Sequence, residues 1–225
     1  RGLQVRHRSC RERSQRRPPG DPGSTATNRV IPSQATTTMN TLHDNKAALR
    51  DTQRTSRKAR TVAEQRSASL KIAALLSELL PKLGATKVAG FSAIRGEVSL
   101  DPAFQEVGHL EWYLPKVIER GDALAFGRWN EGGLETGAYG ILEPQGPYVS
   151  LQALDIALGP GLAFTRHGHR LGMGGGFYDR SLIGYGGIAI GVAYDEEVVE
   201  EIPVGQHDCL VDYLVTPSGW QKCQT

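Results

Sequence analysis

Apolar positions fall into two rhythms along this chain, and the change between them predicts its elements. Residues 45–59, NKAALRDTQRTSRKA, are polar with Ala48 and Leu49 among few anchors, which predicts a first helix with little apolar face. Thr61 to Glu64 then has the form of a capping box, the threonine hydroxyl taking a first-turn amide while Glu64 reaches back. Ile72, Leu75, Leu76 and Leu79 follow at i, i+3, i+4 and i+7. A second helix therefore lies on the core until Pro81 and Gly84 end it. Beyond that point the period shortens. Runs rich in Val, Ile, Leu and Ala at 88–94, 111–114, 123–129, 154–158, 187–194 and 210–215 predict six strands, the second stopped by Pro115. Short apolar strands separated by helical or loop stretches predict an α/β domain whose mostly parallel sheet is covered on both faces.

The first 38 residues show neither rhythm. Eight arginines stand there against Glu12 and Asp21, a surplus of six positive charges in a chain whose net charge is +2, so residues 39–225 carry a net −4. With Pro18, Pro19, Pro22 and Pro32 and no apolar period, this segment buries no core and reads as a disordered basic leader. Three readings stay open for it: an organellar transit peptide, an arginine-rich arm for phosphate backbones, or sequence lying ahead of a start at Met39. The last is preferred, because prolines interrupt the segment and no amphipathic helix emerges. Residues 39–225 then form a single domain, and their acidic balance speaks against nucleic acid as a partner.

Composition adds exclusions. With 39% hydrophobic and 22% charged residues the chain is that of an ordinary globular protein, and no apolar run approaches the ~18 residues of a membrane span. Cys10, Cys209 and Cys223 are odd in number and lack C-x-x-C spacing, which supports neither a disulfide framework nor a zinc site and suits a reducing, cytoplasmic compartment, or an organelle if the leader is a transit peptide. His167 and His169 flank Gly168 without further Cys or His neighbours, and read as exposed loop residues.

Candidate chemistry concentrates between Pro160 and Arg180, PGLAFTRHGHRLGMGGGFYDR. Gly172, Gly174, Gly175 and Gly176 follow the fourth strand and precede a helix predicted from Tyr178, a place where backbone N–H groups meet an anion closely. The order G-x-G-G-G is neither the dinucleotide fingerprint nor a P-loop. Its neighbours raise its meaning: Arg170 and Arg180 bracket the glycines with fixed cations, and Asp179 offers a hard oxygen for Mg²⁺ shared with phosphates. Lys46 and Arg50, one turn apart on the first helix, present two more cations on one face.

The string Arg170-Leu171-Gly172-Met173-Gly174-Gly175-Gly176-Phe177-Tyr178-Asp179-Arg180 resembles the signature of the 5-formyltetrahydrofolate cyclo-ligase (methenyltetrahydrofolate synthetase) family. Further blocks resemble it too: Lys46 and Arg50, Gly96-Glu97, 112–116 (WYLPK), 139–144 (YGILEP), and His207-Asp208 with Val211-Asp212 and Val215-Thr216, so that residues 43–218 are covered. The resemblance implies a three-layer α/β/α domain that cyclises 5-formyltetrahydrofolate to 5,10-methenyltetrahydrofolate with ATP and Mg²⁺, releasing ADP and phosphate. It implies ATP contacts from Lys46, Arg50 and the run Arg170 to Tyr178, with Arg170 and Tyr178 nearest the chemistry. It gives the folate Ser92, Glu97 and Tyr139, and Mg²⁺ the pair Asp179 and Asp208. A monomer acting on the folate or its polyglutamylated form is the expectation. An ATP-dependent phosphotransferase for another heterocycle and a non-catalytic nucleotide-binding relative are the alternatives. The chain departs from the pattern at Thr165, where relatives carry an acid, and at Met173 and Gly175, where a lysine or arginine is frequent.

Overall fold

The computed structural model describes residues 34–129, 132–137 and 140–224, with side chains from residue 41 onward. Helix α1 runs from Gln34 to Lys58, beginning eleven residues before the span read from the pattern and inside the segment read as leader. Residues 1–33 lie outside the description. Helix α2, Val62–Lys82, starts at the expected capping box: the Thr61 hydroxyl accepts the Glu64 amide, and the Glu64 carboxylate accepts the Thr61 amide at 2.7 Å. Such a cap stabilises a helix by about 1 kcal/mol. Pro81 is carried within the last turn and the helix closes at Lys82. Ile72, Leu76, Leu79 and Leu80 are fully buried, worth about 1.5–3 kcal/mol each.

Among the described residues twelve strands follow, with two short helices, α3 (Asp101–Glu106) and α4 (Phe177–Leu182), between them. The main sheet takes eight: β1 (Lys87–Ala89), β2 (Glu111–Lys116), β3 (Ala125–Arg128), β6 (Tyr148–Ser150), β7 (Ile156–Pro160), β10 (Ile188–Val192), β11 (Tyr213–Thr216) and β12 (Gly219–Lys222), in the order β12-β11-β10-β7-β1-β2-β3-β6. The five central strands β11, β10, β7, β1 and β2 are parallel, and antiparallel pairings add β12 at one edge and β3 and β6 at the other. Two small hairpins stand apart, β4 (Leu134–Thr136) with β5 (Leu142–Pro144), and β8 (Ala163–Phe164) with β9 (Arg170–Leu171).

The core shows why the strands were legible. Val88, Trp112, Leu114, Ile156, Leu158, Ile190, Val192 and Val215 pack on one face with α2 and α3, while Ala89, Tyr113, Phe126 and Ala157 pack on the other with Leu151, Leu154 and α4. Side chains on a strand alternate faces, so a two-sided core makes nearly every position apolar. The expected α/β architecture with a mostly parallel, doubly covered sheet is the one observed. Pro115 does not stop β2, however. The β1 ladder has ended at Tyr113, whose carbonyl accepts the Gly90 amide, and alternation turns Pro115 to that same vacated side, where its missing N–H removes no bond. The first strand is only Lys87–Ala89, so Glu97 follows it by a loop of several residues.

Strand order reverses between β1 and β7. From β1 the chain crosses to β2 on one side, and from β7 to β10 on the other, so a crevice opens beyond the carboxyl ends of these two strands. The loop carrying Glu97 follows β1, and the glycine loop, expected directly after the fourth strand, is reached from β7 through the β8–β9 hairpin.

Candidate functional site

One open pocket of about 80 Å³ gathers Lys46, Arg50, Arg170, Leu171, Gly172, Gly174, Gly176, Asp179 and Asp208. Residues separated by up to 162 positions thus meet at one place, beyond the end of β7. The enclosed volume is well below that of a drug-sized ligand pocket, so the place is a shallow, polar cleft open to solvent. Leu171, on β9, is an apolar lining residue, and Lys46 and Arg50 line the pocket from α1. Arg50 donates to the Gly172 carbonyl at 3.0 Å, and Arg54, one turn later, donates to the Met173 carbonyl at 3.2 Å. Burial, together with the neighbouring Arg54, lowers the Arg50 pKa.

Each carboxylate in the pocket faces a cation. Lys46 Nζ lies 2.5 Å from Asp208 Oδ2, which also accepts the Gly205 amide at 2.8 Å. Arg170 donates from Nη2 to Asp179 Oδ1 at 2.7 Å and from Nη1 to the Pro160 carbonyl at 3.2 Å. Arg170 is therefore buried and engaged inward, and Arg50 is the pocket's surplus positive charge. Asp179 Oδ2 and Asp208 Oδ1 accept no hydrogen bond from the described residues. Two such hard oxygens beside three cations fit a divalent cation shared with phosphate oxygens.

The glycine loop bends where only glycine is at ease. Gly174 and Gly176 have φ of 110° and 67°, and Gly176 turns the chain into α4. Helix α4 begins at Phe177, one residue before the predicted start, and is only six residues long. Phe177 packs into the cluster around Leu124 and Phe126, and Arg180, which does not itself line the pocket, donates to the carbonyls of Gly175 and Asp122. Tyr178 lies below the loop with its ring against both core clusters, 5.5 Å from the Arg170 guanidinium; its hydroxyl is buried with no hydrogen-bond partner. Burial raises the hydroxyl's pKa, and Glu97 adds to the rise.

Glu97 belongs to this neighbouring buried cluster and does not line the pocket. Its carboxyl accepts the Ile94 amide at 3.1 Å and lies 3.6 Å from Arg57 Nη1; burial pushes its pKa up to about 7. Ser92 donates to the Leu142 carbonyl at 2.8 Å, tying the loop after β1 to the β4–β5 hairpin. Tyr139 lies outside the described residues. The pattern thus brought the phosphate and metal candidates together, with Glu97 and Ser92 displaced toward β1. It missed Arg54, Arg57 and Glu197, and also the Lys116–Glu143 ion pair of 3.1 Å, in which Glu143 is buried. The spacing of Arg50, Arg54 and Arg57 was a signal for the first two. Glu197, in an acidic run, carried none.

Thr165 has a local role: buried, it accepts the His169 amide on its hydroxyl and closes the β8–β9 turn through its backbone. His167 is exposed, 3.2 Å from the Gln224 carbonyl, while His169 is half-buried. Among the described residues no helix is long and apolar enough to cross a membrane.

A model of the 5-formyltetrahydrofolate cyclo-ligase family matches residues 42–217. The chain belongs to this family. It is thereby an enzyme of the ligase class, of folate one-carbon metabolism. It is 31% identical over 172 residues to the 5-formyltetrahydrofolate cyclo-ligase of Escherichia coli (strain K12), covering 72% of this chain and 94% of that one. With the Mycolicibacterium smegmatis cyclo-ligase it shares 37% identity over 99 residues, 42% of this chain and about half (51%) of that protein. Among solved structures, the Aquifex aeolicus 5,10-methenyltetrahydrofolate synthetase superimposes with a TM-score of 0.72 at 36% identity, over 80% of this chain and 93% of the other.

Proposed function

We propose that the chain uses ATP and Mg²⁺ to cyclise 5-formyltetrahydrofolate to 5,10-methenyltetrahydrofolate, releasing ADP and phosphate. The observation that carries this reading is the convergence of Lys46, Arg50 and Arg170 with Asp179 and Asp208 around glycines at the carboxyl ends of the central strands, in a chain of this family.

The formyl oxygen is a poor leaving group. Transfer of the γ-phosphoryl to it gives an activated iminium phosphate, which N10 of the same folate attacks before phosphate leaves. Little covalent help is needed from the protein, so positioning and charge neutralisation dominate. Lys46 and Arg50 meet the phosphates from α1, and the amides of Gly172 to Gly176 approach from the other side. Arg170 is inward-facing: it fixes the direction of the Asp179 carboxylate and adds field at short range. Asp179 and Asp208 would hold Mg²⁺, which when bound neutralises phosphate charge. Glu97 in its carboxylate form accepts from the N–H groups of the pterin, and the Tyr178 ring packs beneath the reacting atoms. Ser92 and Tyr139 complete the folate side. The enzyme acts as a monomer in the cytoplasm, on the folate and its polyglutamylated forms.

The test is the appearance of methenyl absorbance when purified protein is mixed with 5-formyltetrahydrofolate, ATP and Mg²⁺. Omitting any one of the three should abolish the signal. Folded protein that yields no methenyl product under these conditions overturns the proposal.

A further inference from the structure

Lys46, Arg50 and Arg57 occupy one stripe of α1. Spacings of four, seven and eleven residues bring them within about 40° of one another at 100° per residue. The first two face the phosphate pocket. Arg57 instead plunges into the domain, its side chain 3% exposed, and touches three segments. Nε donates to Glu197 Oε1 at 2.8 Å, Nη2 donates to the Gly161 carbonyl at 2.6 Å, and Nη1 stands 3.6 Å from Glu97 Oε1 with no hydrogen-bond partner. Gly161 directly follows β7 and leads into the hairpin that carries Arg170. One guanidinium therefore spans the end of β7, the segment after β10 and the loop after β1.

Burying a guanidinium with a spare donor is costly, and an apolar residue would anchor a helix at lower expense. What the arginine adds is directed charge beside Glu97. The turn at Glu97 is also seated on its stem. Gly96 has φ of 80°, and a Cβ there would lie 3.3 Å from Arg57 Cγ, so the turn lies flat against this side chain. We propose that Arg57 is a positioning residue for the folate side of the site, holding the Glu97 carboxylate ready for folate from the same helix whose Lys46 and Arg50 meet the nucleotide.

This rests on the proposed function above. Around Glu97 stand Arg57 from α1, Arg95 and the Ile94 amide from its own loop, Glu197 and Tyr194 from the segment after β10, and Tyr178 from α4. Among these, the Ile94 amide and then Arg57, the nearest side-chain cation, support the charged carboxylate against its burial, with Arg95 a lesser support; Glu197 opposes it. Loss of the Arg57 charge should therefore shift the pH dependence of folate binding upward, since carboxylate is the form that accepts the pterin N–H groups.

The experiment measures binding of 5-formyltetrahydrofolate without ATP, by tryptophan fluorescence across pH 6–9, and separately of Mg²⁺-ATP, for wild type, Arg57→Met and Arg57→Lys. Arg57→Met should weaken folate binding at pH 7 by about tenfold or more, move its pH midpoint up by about one unit, and change nucleotide affinity by less than about threefold. Arg57→Lys should restore most of the midpoint. Equal losses for both ligands with an unmoved midpoint would show a merely structural residue and overturn the proposal. Wild-type protein that binds no folate at any pH defeats the proposed function itself, a distinct result. If Arg57→Met does not fold, Arg57→Gln takes its place: it should move the folate midpoint up by about one unit, and a wild-type midpoint in the folded variant overturns the proposal.

Discussion

Asp179→Asn separates two roles that the geometry gives to a single carboxylate. In the free protein Asp179 is the counter-charge of Arg170, whose side chain is 3% exposed, and in the working enzyme it would be a ligand of Mg²⁺. Asparagine keeps an oxygen toward Arg170 Nη2 but removes the charge. Two unit charges ~4 Å apart interact by about 4 kcal/mol at an effective dielectric constant of 20. Asp179 is 24% exposed, so solvent screens part of this, and about 2 kcal/mol of stability is the expected loss. For a chain of this size that lowers the melting temperature by about 4–8 °C. Urea denaturation followed by tryptophan fluorescence reads the loss directly, and Asp179→Ala, which also gives up the hydrogen bond, should lose more. The Mg²⁺ concentration for half-maximal rate should rise tenfold or more in the asparagine variant. A wild-type urea midpoint would refute the structural pairing, and a wild-type Mg²⁺ titration would place the metal elsewhere. The two outcomes are independent, which is why the carboxamide is more informative than a truncation.

Other substitutions probe the remaining parts. Arg50→Ala should raise the KM for ATP at least tenfold with folate binding little changed, measured by steady-state kinetics, because Arg50 is the surplus cation of the pocket; parallel losses for both substrates would contradict this. A methyl group at Gly172 would lie 2.9 Å from Arg170 Nη1, so Gly172→Ala should displace the guanidinium and cut kcat/KM by tenfold or more in a protein whose circular dichroism is native; undiminished activity would show that the loop yields freely. Burial raises the Glu97 pKa to about 7, so between pH ~4.5 and ~7 the native state holds a proton that the unfolded chain has lost. Stability should therefore fall as pH rises through this window, by an amount of order 3 kcal/mol, and level off above it. Glu97→Gln should flatten that slope in pH-dependent urea melts, and an equal slope in the variant would assign the titration to another group.

The sequence carried the sheet more readily than the site. Strand positions such as Val88, Ile156, Leu158 and Ile190 announced themselves because both faces of the sheet are covered, leaving little room for polar residues. The strands that escaped notice were short or at an edge: β4 is exposed along its length, β5 and β6 are three residues each, β8 and β9 are buried but only two residues each, and β12 alternates half-buried and exposed positions at an edge. At the site, the glycine run with its flanking arginines was legible because steric need for glycine leaves a compositional trace. The roles of the arginines were not. Arg170 read as a donor turned to phosphate, whereas it faces Asp179 and Pro160, and nothing local to the sequence distinguishes an inward arginine from an outward one.

Helix α1 shows the same limit and its physical source. Seen alone, Lys46, Arg50, Arg54 and Arg57 form a polar stripe, and a solvated face is the ordinary expectation for such a helix. In the fold the stripe is the helix's inner face, with Asp208, the carbonyls of Gly172 and Met173, and Glu197 supplying the partners. Those partners lie 119 to 162 residues away, so no window of sequence contains both halves of any pair. The helix is held by polar contacts and little apolar surface, Leu49 being its contribution to a core cluster. The contacts of Lys46, Arg50 and Arg54 lie at the pocket and exchange with water and ligand oxygens, leaving the buried Arg57–Glu197 pair as the firm polar anchor at the end of the helix. An α1 docked in this manner is thus expected to be the least firmly held element around the pocket, and to gain order when phosphates replace Asp208 and the Gly172 carbonyl as partners of Lys46 and Arg50. Hydrogen exchange of the α1 amides, slowed by Mg²⁺-ATP while α2 amides stay unchanged, is the signature this requires; equal protection of both helices before and after nucleotide would mean that α1 is as rigid as the core.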